Sequence, residues 1–155
     1  MAVPTSDWDR LTQAAKAASE RAYCPYSKFR VGAALLTRDG RLYSGCNVEN
    51  ASYGLTICAE RNTIFHAVAE GMVAVSALLV YTSTENPAAP CGACRQVLNE
   101  FGPDAQIRCV CDGPETIDLK VSDLLPKAFG PANLRDLRTA RYGKNAIQSE
   151  DYDQG

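Results

Sequence analysis

The sequence lacks a long hydrophobic run: its most apolar stretch, residues 72–81, contains Ser76 and is too short to span a bilayer. It also lacks an excess of charge of one sign, since 16 basic residues face 18 acidic ones and the formal net charge is -2. A protein that binds nucleic acid or an anionic membrane by charge needs a basic surface. Residues 1–10 are polar and lack the apolar core of a secretory signal. We therefore expect a cytoplasmic protein that binds neither membrane nor nucleic acid.

Histidine is also scarce, whereas cysteine is abundant. The only histidine, His66, lies inside a predicted helix, where an interaction with Glu70 four residues later is the expected role. The chain has seven cysteines, and an odd number in a reducing compartment argues against a disulfide framework. Four of them are expected to be small buried apolar side chains: Cys24, Cys46, Cys109 and Cys111.

The length of 155 residues, with 46% hydrophobic and 22% charged residues, predicts one globular domain, which we place at residues 1–134. Apolar periodicity and turn signals predict a helix over 7–22, a hairpin over 30–37 and 41–48 around Asp39-Gly40, and a helix over 58–70. They then predict a strand over 77–82, a helix over 91–101, and strands over 107–111 and 117–121. This order indicates an α/β fold, a three-layer α/β/α sandwich with a mixed five-stranded sheet. Residues 135–155 are predicted to form a surface helix and a flexible tail.

Two cysteines three positions apart lie at the start of a predicted helix, in Pro90-Cys91-Gly92-Ala93-Cys94. This spacing lets both sulfurs reach one tetrahedral metal ion at about 2.3 Å. The helix N-terminus favours the thiolate, which is the form that binds metal. Taken alone, the motif is also compatible with a redox pair, with half of a structural zinc site, or with chance.

A third cysteine begins another predicted helix, in Cys58-Ala59-Glu60. Three sulfur ligands leave one position of a zinc ion open, and this distinguishes catalytic zinc from structural zinc. Glu60 is spaced to reach a water on that ion, where a carboxylate acts as a general acid and base. The alternative is a structural zinc module without catalysis, which requires a fourth protein ligand.

Together, Cys58-Ala59-Glu60 and Pro90-Cys91-Gly92-Ala93-Cys94 resemble the signature of the zinc-dependent deaminases. Three further segments resemble the small cytidine deaminases of pyrimidine nucleoside salvage: YSKFRVGAAL at 26–35, NVENASY at 47–53 and LLPKAFGP at 124–131. The resemblance covers roughly residues 14–134. It implies one zinc ion per subunit, a homotetramer with shared active sites, and hydrolytic deamination of cytidine and 2′-deoxycytidine to uridine and 2′-deoxyuridine with release of ammonia. Glu60 would carry protons from water to ring N3 and to the leaving amino group.

The resemblance also implies the contacts with the sugar. Asn47 and Glu49 would hydrogen-bond the ribose hydroxyls, a role that suits an amide and a carboxylate. Tyr53 would reach the 5′ end of the sugar across a subunit boundary. A solvated loop charge is the alternative role for Glu49.

For the base, the resemblance implies that Phe29 and the Phe129 of a neighbouring subunit sandwich the pyrimidine ring. The backbone of Ala59 would meet the edge of the base. Without the resemblance, both phenylalanines would be expected to be core aromatics, because aromatic residues mostly fill cores.

Three thiolates outweigh the charge of Zn²⁺ and should weaken it as a Lewis acid. The two helix N-termini offset part of this excess, each acting as roughly half a positive charge. Arg61, next to Glu60, is the candidate for the remainder, because its guanidinium could donate to the ligand sulfurs. Arg95, next to Cys94, is a second candidate that could equally be a surface residue.

Two other deaminase functions fit the zinc motifs, one acting on a nucleoside antibiotic and one on a base in nucleic acid. The acidic pI of about 5.4 and the segment from Asn47 to Tyr53 argue against both.

Overall fold

The computed structural model describes residues 3–134, in which five strands form one mixed sheet in the order β2-β1-β3-β4-β5. The strands are β1 (Val31–Thr37), β2 (Leu42–Cys46), β3 (Val75–Thr82), β4 (Gln106–Val110) and β5 (Thr116–Lys120). The helices are α1 (Thr5–Ser19), α2 (Ala59–Ala69), α3 (Gly92–Phe101) and the single turn α4 (Val121–Leu124). The predicted α/β class and mixed five-stranded sheet are confirmed. The predicted surface helix and tail at 135–155 lie outside the described residues.

Helices cover both faces of the sheet, because successive side chains of a strand point to opposite sides. On one face, Ala33, Leu35, Leu78 and Val80 pack with residues of α2 and α3. On the other face, the alternate residues Ala34, Leu36, Ala77 and Leu79 pack with Trp8, Leu11 and Ala15 of α1. Gly32 allows α1 to approach β1, since a Cβ atom at this position would lie 1.9 Å from the Ala15 carbonyl oxygen. The three layers therefore share one central sheet.

Strand direction brings several loops to one edge of this sheet. β1 runs antiparallel to both β2 and β3, whereas β3 and β4 are parallel. The C-terminal ends of β2, β3 and β4 and the N-terminal end of β1 therefore meet at one edge, which we call the site edge. The chain passes from β2 to α2 and from β3 to α3, so both helices begin at the site edge. Ligands of α/β sheets bind outside the carboxyl ends of strands in this way.

The hairpin between β1 and β2 differs from the prediction by one residue. The Thr37 amide donates to the Arg41 carbonyl at 2.9 Å, so the turn contains residues 38–40 rather than Asp39-Gly40 alone. Gly40 has φ 85°, the left-handed conformation that a three-residue hairpin turn needs at its last position.

No helix in residues 3–134 is both long and apolar enough to cross a membrane.

Candidate active site

Three cysteine sulfurs converge at the site edge. Cys58 is the N-cap residue of α2, Cys91 is the N-cap residue of α3, and Cys94 lies in the first turn of α3. All three Sγ atoms lie within 4.8 Å of one another, with 3.8 Å between Cys58 and Cys91 and 3.6 Å between Cys91 and Cys94. Two sulfurs bound at about 2.3 Å to a tetrahedral zinc ion are about 3.8 Å apart. The three sulfurs are therefore spaced to hold one zinc ion.

This cluster has three members within the part of the chain that the structure describes. A tetrahedral zinc ion held by it keeps a fourth position for water or substrate, as in catalytic sites. A structural zinc module would need a fourth protein ligand instead. Because Cys58 and Cys91 cap their helices, the positive ends of both helix dipoles lie at the sulfurs and favour thiolates there.

The pKa values of Cys58 and Cys94 are shifted in opposite directions. A hydrogen bond from the Cys94 thiol, with further contributions from Arg61 and Cys91, lowers the pKa of Cys58 from 9.0 to about 5 against the effect of burial. The pKa of Cys94 is raised, because its thiol donates to Cys58, is fully buried, and lies near the charge of Glu60. Cys58 is therefore more readily ionised than Cys94, and zinc binding has to release the proton of Cys94.

Glu60 lies in the first turn of α2 and is only 5% exposed. Burial raises the pKa of its carboxyl group, and the charge of Cys58 raises it further. The Cys94 thiol and the charge of Arg61 act in the opposite direction. A buried carboxyl group beside the sulfurs, with its pKa moved toward neutrality, is suited to accept and return a proton during a reaction.

Arg61 and Arg95 follow the two motifs, but only Arg61 is bonded to sulfur. Arg61 Nη2 lies 3.6 Å from Cys58 Sγ and 3.4 Å from the Thr56 carbonyl oxygen. The sulfur of Cys58, with a smaller contribution from that of Cys94, raises the pKa of Arg61 and so keeps its positive charge. Arg95 instead donates from Nε to the Pro90 carbonyl at 2.7 Å, so it supports the loop before Cys91.

Asn47 follows β2 and binds the segment that precedes β1. Its Oδ1 accepts from the Val31 amide at 2.9 Å, and its Nδ2 donates to the Phe29 carbonyl at 2.8 Å. The residue is 7% exposed. An amide side chain has two N–H groups and two acceptor lone pairs, so one donor and one acceptor are left for a ligand. This role of Asn47 in holding the backbone beside Phe29 was not predicted from the sequence.

Glu49 is bound to the same segment. Its Oε2 accepts from the amides of Tyr26 at 2.9 Å and Ser27 at 3.2 Å, and its Oε1 accepts from the Ser27 hydroxyl. The Ser27 hydroxyl is the main cause of the lowered pKa of Glu49, and the two amides add to it. Glu49 is therefore an ionised, oriented carboxylate rather than a freely solvated loop charge. Oε1 keeps one lone pair for a ligand.

The aromatic residues of the predicted substrate site are not part of the core. Phe29 is 41% exposed, Tyr53 74% and Phe129 58%. The ring of Tyr53 contacts that of Tyr26 at 5.7 Å between centroids. The Phe129 carbonyl accepts from Gln96 Nε2 on α3 at 2.9 Å. These rings are available to a ligand or to another chain, whereas Ala59, the first residue of α2, is fully buried.

The other predictions from the sequence concern the four remaining cysteines and His66. Cys24, Cys109 and Cys111 are buried, but Cys46 is only half-buried. The imidazole of His66 packs edge-on against the ring of Tyr43 at 5.4 Å. No ion pair joins His66 to Glu70 among the described residues, and the contact between these two residues that the structure shows is the helical bond from the Glu70 amide to the His66 carbonyl at 3.1 Å.

Known proteins share this arrangement. A family model described as the cytidine and deoxycytidylate deaminase zinc-binding region matches residues 5–110. The chain is 45% identical over 138 residues to the cytidine deaminase of Sporosarcina psychrophila, covering 83% of this chain and 95% of that protein. It is 47% identical over 131 residues to the cytidine deaminase of Halalkalibacterium halodurans, covering 84% and 99%.

Solved structures agree with these sequence matches. The crystal structure of the Burkholderia pseudomallei cytidine deaminase superposes with a TM-score of 0.75 at 50% identity, covering 78% of this chain and 98% of that one. The cytidine deaminase of Mycobacterium tuberculosis superposes with a TM-score of 0.70 at 44% identity, covering 80% and 98%.

Proposed function

The chain belongs to the cytidine and deoxycytidylate deaminase family, and we propose that its site edge hydrolyses cytidine and 2′-deoxycytidine to uridine and 2′-deoxyuridine with release of ammonia. The observation that carries this function is the convergence of three thiols with the buried carboxyl group of Glu60. The reaction belongs to the salvage of pyrimidine nucleosides. The enzyme is a hydrolase that acts on the C–N bond of a cyclic amidine.

Cys58, Cys91 and Cys94 would hold one zinc ion per subunit, because their three sulfur atoms lie within 4.8 Å of one another. When bound, zinc supplies Lewis-acid activation of water at the position that the three thiolates leave open. The positive charge of Arg61, 3.6 Å from Cys58 Sγ, offsets part of the excess negative charge of the thiolates.

In this mechanism Glu60 moves two protons. Its carboxylate accepts a proton from water and donates it to ring N3, which makes C4 electrophilic. The water oxygen forms a bond to C4, and Glu60 then transfers the remaining hydroxyl proton to the amino group. The C4–N bond breaks, ammonia leaves, and the C4 carbonyl of uridine forms. One carboxylate thus acts as base and as acid.

We further propose that Asn47 and Glu49 recognise the sugar and that Phe29 stacks on the base, with the Ala59 backbone at the base edge. The free N–H of Asn47 and the free lone pair of Glu49 Oε1 together complement one hydroxyl group, which accepts from the first and donates to the second. A site that needs one sugar hydroxyl in this way accepts ribonucleosides and deoxyribonucleosides alike.

The experiment is to incubate the pure protein with cytidine and to measure uridine and ammonia. We expect equal amounts of both products, loss of activity after a chelator, and recovery with added zinc. Parallel reactions contain 2′-deoxycytidine and a cytosine-containing single-stranded oligonucleotide. Deamination of the oligonucleotide but of neither nucleoside would contradict the proposed substrate.

We also propose a homotetramer in which Tyr53 and Phe129 complete the site of a neighbouring subunit. Exposed large apolar side chains support association: Tyr23, Val48, Tyr53, Leu55 and Phe129. Sedimentation measures the number of subunits in the assembly. Mixing of variant subunits tests whether active sites are shared between them. If Phe129 acts across the boundary, mixed assemblies of Phe129→Ala and Glu60→Gln subunits should be more active than either variant alone. No gain after reassembly would contradict shared sites.

The cytoplasm is the compartment that we propose for this enzyme. All seven cysteines lie in the described residues and are free thiols. A reducing compartment maintains cysteines in this state.

A further inference from the structure

Ser27 joins two parts of the proposed substrate site through three hydrogen bonds. Its hydroxyl donates to Glu49 Oε1 and accepts from the Phe29 amide at 3.0 Å. Its own amide donates to Glu49 Oε2 at 3.2 Å. One small side chain thus bonds to the carboxylate that faces the sugar and to the backbone of the ring that faces the base.

The turn around Ser27 has a backbone conformation that needs support. Lys28, between Ser27 and Phe29, has φ 60°, a left-handed conformation that is unfavourable for a lysine. The Lys28 amide donates to the Cys24 carbonyl at 3.0 Å. Phe29 is held on both sides, since its amide donates to the Ser27 hydroxyl and its carbonyl accepts from Asn47 Nδ2. The direction of the Phe29 side chain therefore depends on these two bonds.

We propose that Ser27 is a positioning residue that couples the Glu49 carboxylate to the Phe29 ring, so that sugar recognition and base stacking are set together. This inference rests on the proposed function, because that function assigns the sugar to Glu49 and the base to Phe29. The Ser27 hydroxyl acts through these two residues, to which it is hydrogen-bonded. Its single proton is used by Glu49, and it accepts from Phe29, so its removal loosens both contacts at once.

The test compares Ser27→Ala with Ser27→Thr, which keeps a hydroxyl, and with Ser6→Ala as a matched control. Ser6 is exposed on α1, on the face of the sheet opposite α2 and α3. A hydrogen bond to a charged group contributes about tenfold or more to an equilibrium, so Ser27→Ala should raise the KM for cytidine about tenfold. The kcat, zinc content and melting temperature should stay close to wild type. Ser27→Thr should restore KM to within about twofold of wild type, and Ser6→Ala should change nothing.

Coupling is measured by repeating Ser27→Ala in a Glu49→Ala background. If Ser27 acts partly through Glu49, Ser27→Ala should lower kcat/KM less in this background than in the wild type, because only the contact with Phe29 is then left to lose. The same loss in both backgrounds, or a Ser27→Ala enzyme with the KM of the control, would overturn the inference.

A binding measurement separates this inference from the proposed function. Calorimetry with uridine should show about tenfold weaker binding to Ser27→Ala than to wild type. A wild-type protein that binds uridine but does not deaminate cytidine would overturn the proposed function and leave the Ser27 inference to be decided by this comparison. A wild-type protein that binds neither nucleoside would overturn both.

Discussion

Replacing Arg61 by glutamine should weaken zinc binding and slow deamination without unfolding the protein. The guanidinium Nη2 lies 3.6 Å from Cys58 Sγ and is the positive side-chain group bonded to the ligand sulfurs among residues 3–134. Glutamine keeps a polar, straight side chain of helical propensity similar to that of arginine. It removes the charge and shortens the side chain, so the excess negative charge of three thiolates is offset only by the two helix dipoles.

The size of the effect follows from this distance. Two unit charges about 4 Å apart near a protein surface attract by about 4 kcal/mol at an effective dielectric constant of 20. The guanidinium charge is delocalised, and Nη2 also donates to the Thr56 carbonyl oxygen at 3.4 Å. The attraction between Arg61 and the Cys58 sulfur is therefore only part of this energy. Loss of a partner of a metal ligand lowers metal affinity or activity by about 10- to 100-fold. We expect a loss in this range for both zinc affinity and kcat/KM.

The assay is zinc competition against a colorimetric chelator, combined with cytidine turnover by the zinc-loaded enzyme. Arg61→Lys, which keeps the charge on a shorter side chain, should fall between wild type and Arg61→Gln. Arg95→Gln is the control that removes a neighbouring arginine bonded to the Pro90 carbonyl. This control should lower the melting temperature, because Arg95 supports the loop before Cys91, and it should leave the zinc affinity close to that of the wild type. Zinc affinity and kcat/KM of Arg61→Gln within about twofold of wild type would refute the role of this charge.

Three other substitutions test separate parts of the structure. Glu60→Gln should retain zinc, measured by elemental analysis, and lose about 10³-fold or more in kcat, because one carboxylate transfers both protons; retained activity would refute the mechanism. Gly113→Ala should lower stability to denaturant by about 1–3 kcal/mol, because its Cβ would lie 2.0 Å from the Glu85 carbonyl oxygen; an unchanged midpoint would refute this contact. Burial, then the hydrogen bond to Asp112, raises the pKa of Tyr81 from 10.0 to about 12. Its phenol therefore keeps its proton longer in the folded than in the unfolded state, and stability should fall from pH 10 to 12. Tyr81→Phe should make this fall shallower in denaturation curves, and an unchanged slope would count against the hydrogen bond.

The parts of the site that local sequence specifies could be predicted. The helices that begin after Cys58 and Cys91 lie within one residue of the predicted starts, and each cysteine is an extended N-cap residue. Good helix formers follow Cys58, whereas Gly92 follows Cys91 and the helix-forming residues come later in α3. The convergence of the three thiols then follows from metal chemistry, since three sulfurs can serve one ion only if both helix N-termini meet.

The polar contacts between distant segments could not be predicted. Asn47 binds backbone groups 16 and 18 residues away, and Glu49 binds amides 22 and 23 residues away. Such contacts depend on the hairpin, which brings the start of β1 beside the end of β2. The local sequence does not indicate which distant backbone group a side-chain amide or carboxylate will face. The contact of His66 with the ring of Tyr43 on β2 could not be predicted for a related reason, because it also depends on how distant segments pack together.

Strand direction also determines where the segment that carries Phe129 begins. β5 runs antiparallel to β4, so the chain leaves β5 at the edge opposite the site edge before it reaches Phe129. The Phe129 carbonyl is then bound beside α3 by Gln96, while the ring remains 58% exposed. Ser27, Asn47, Glu49 and the thiols, by contrast, all lie in loops or helix starts at the site edge. A ring that the fold of its own subunit leaves uncovered is positioned to be buried by a second subunit. An exposed ring of this kind is what the proposed sharing of sites between subunits requires of Phe129.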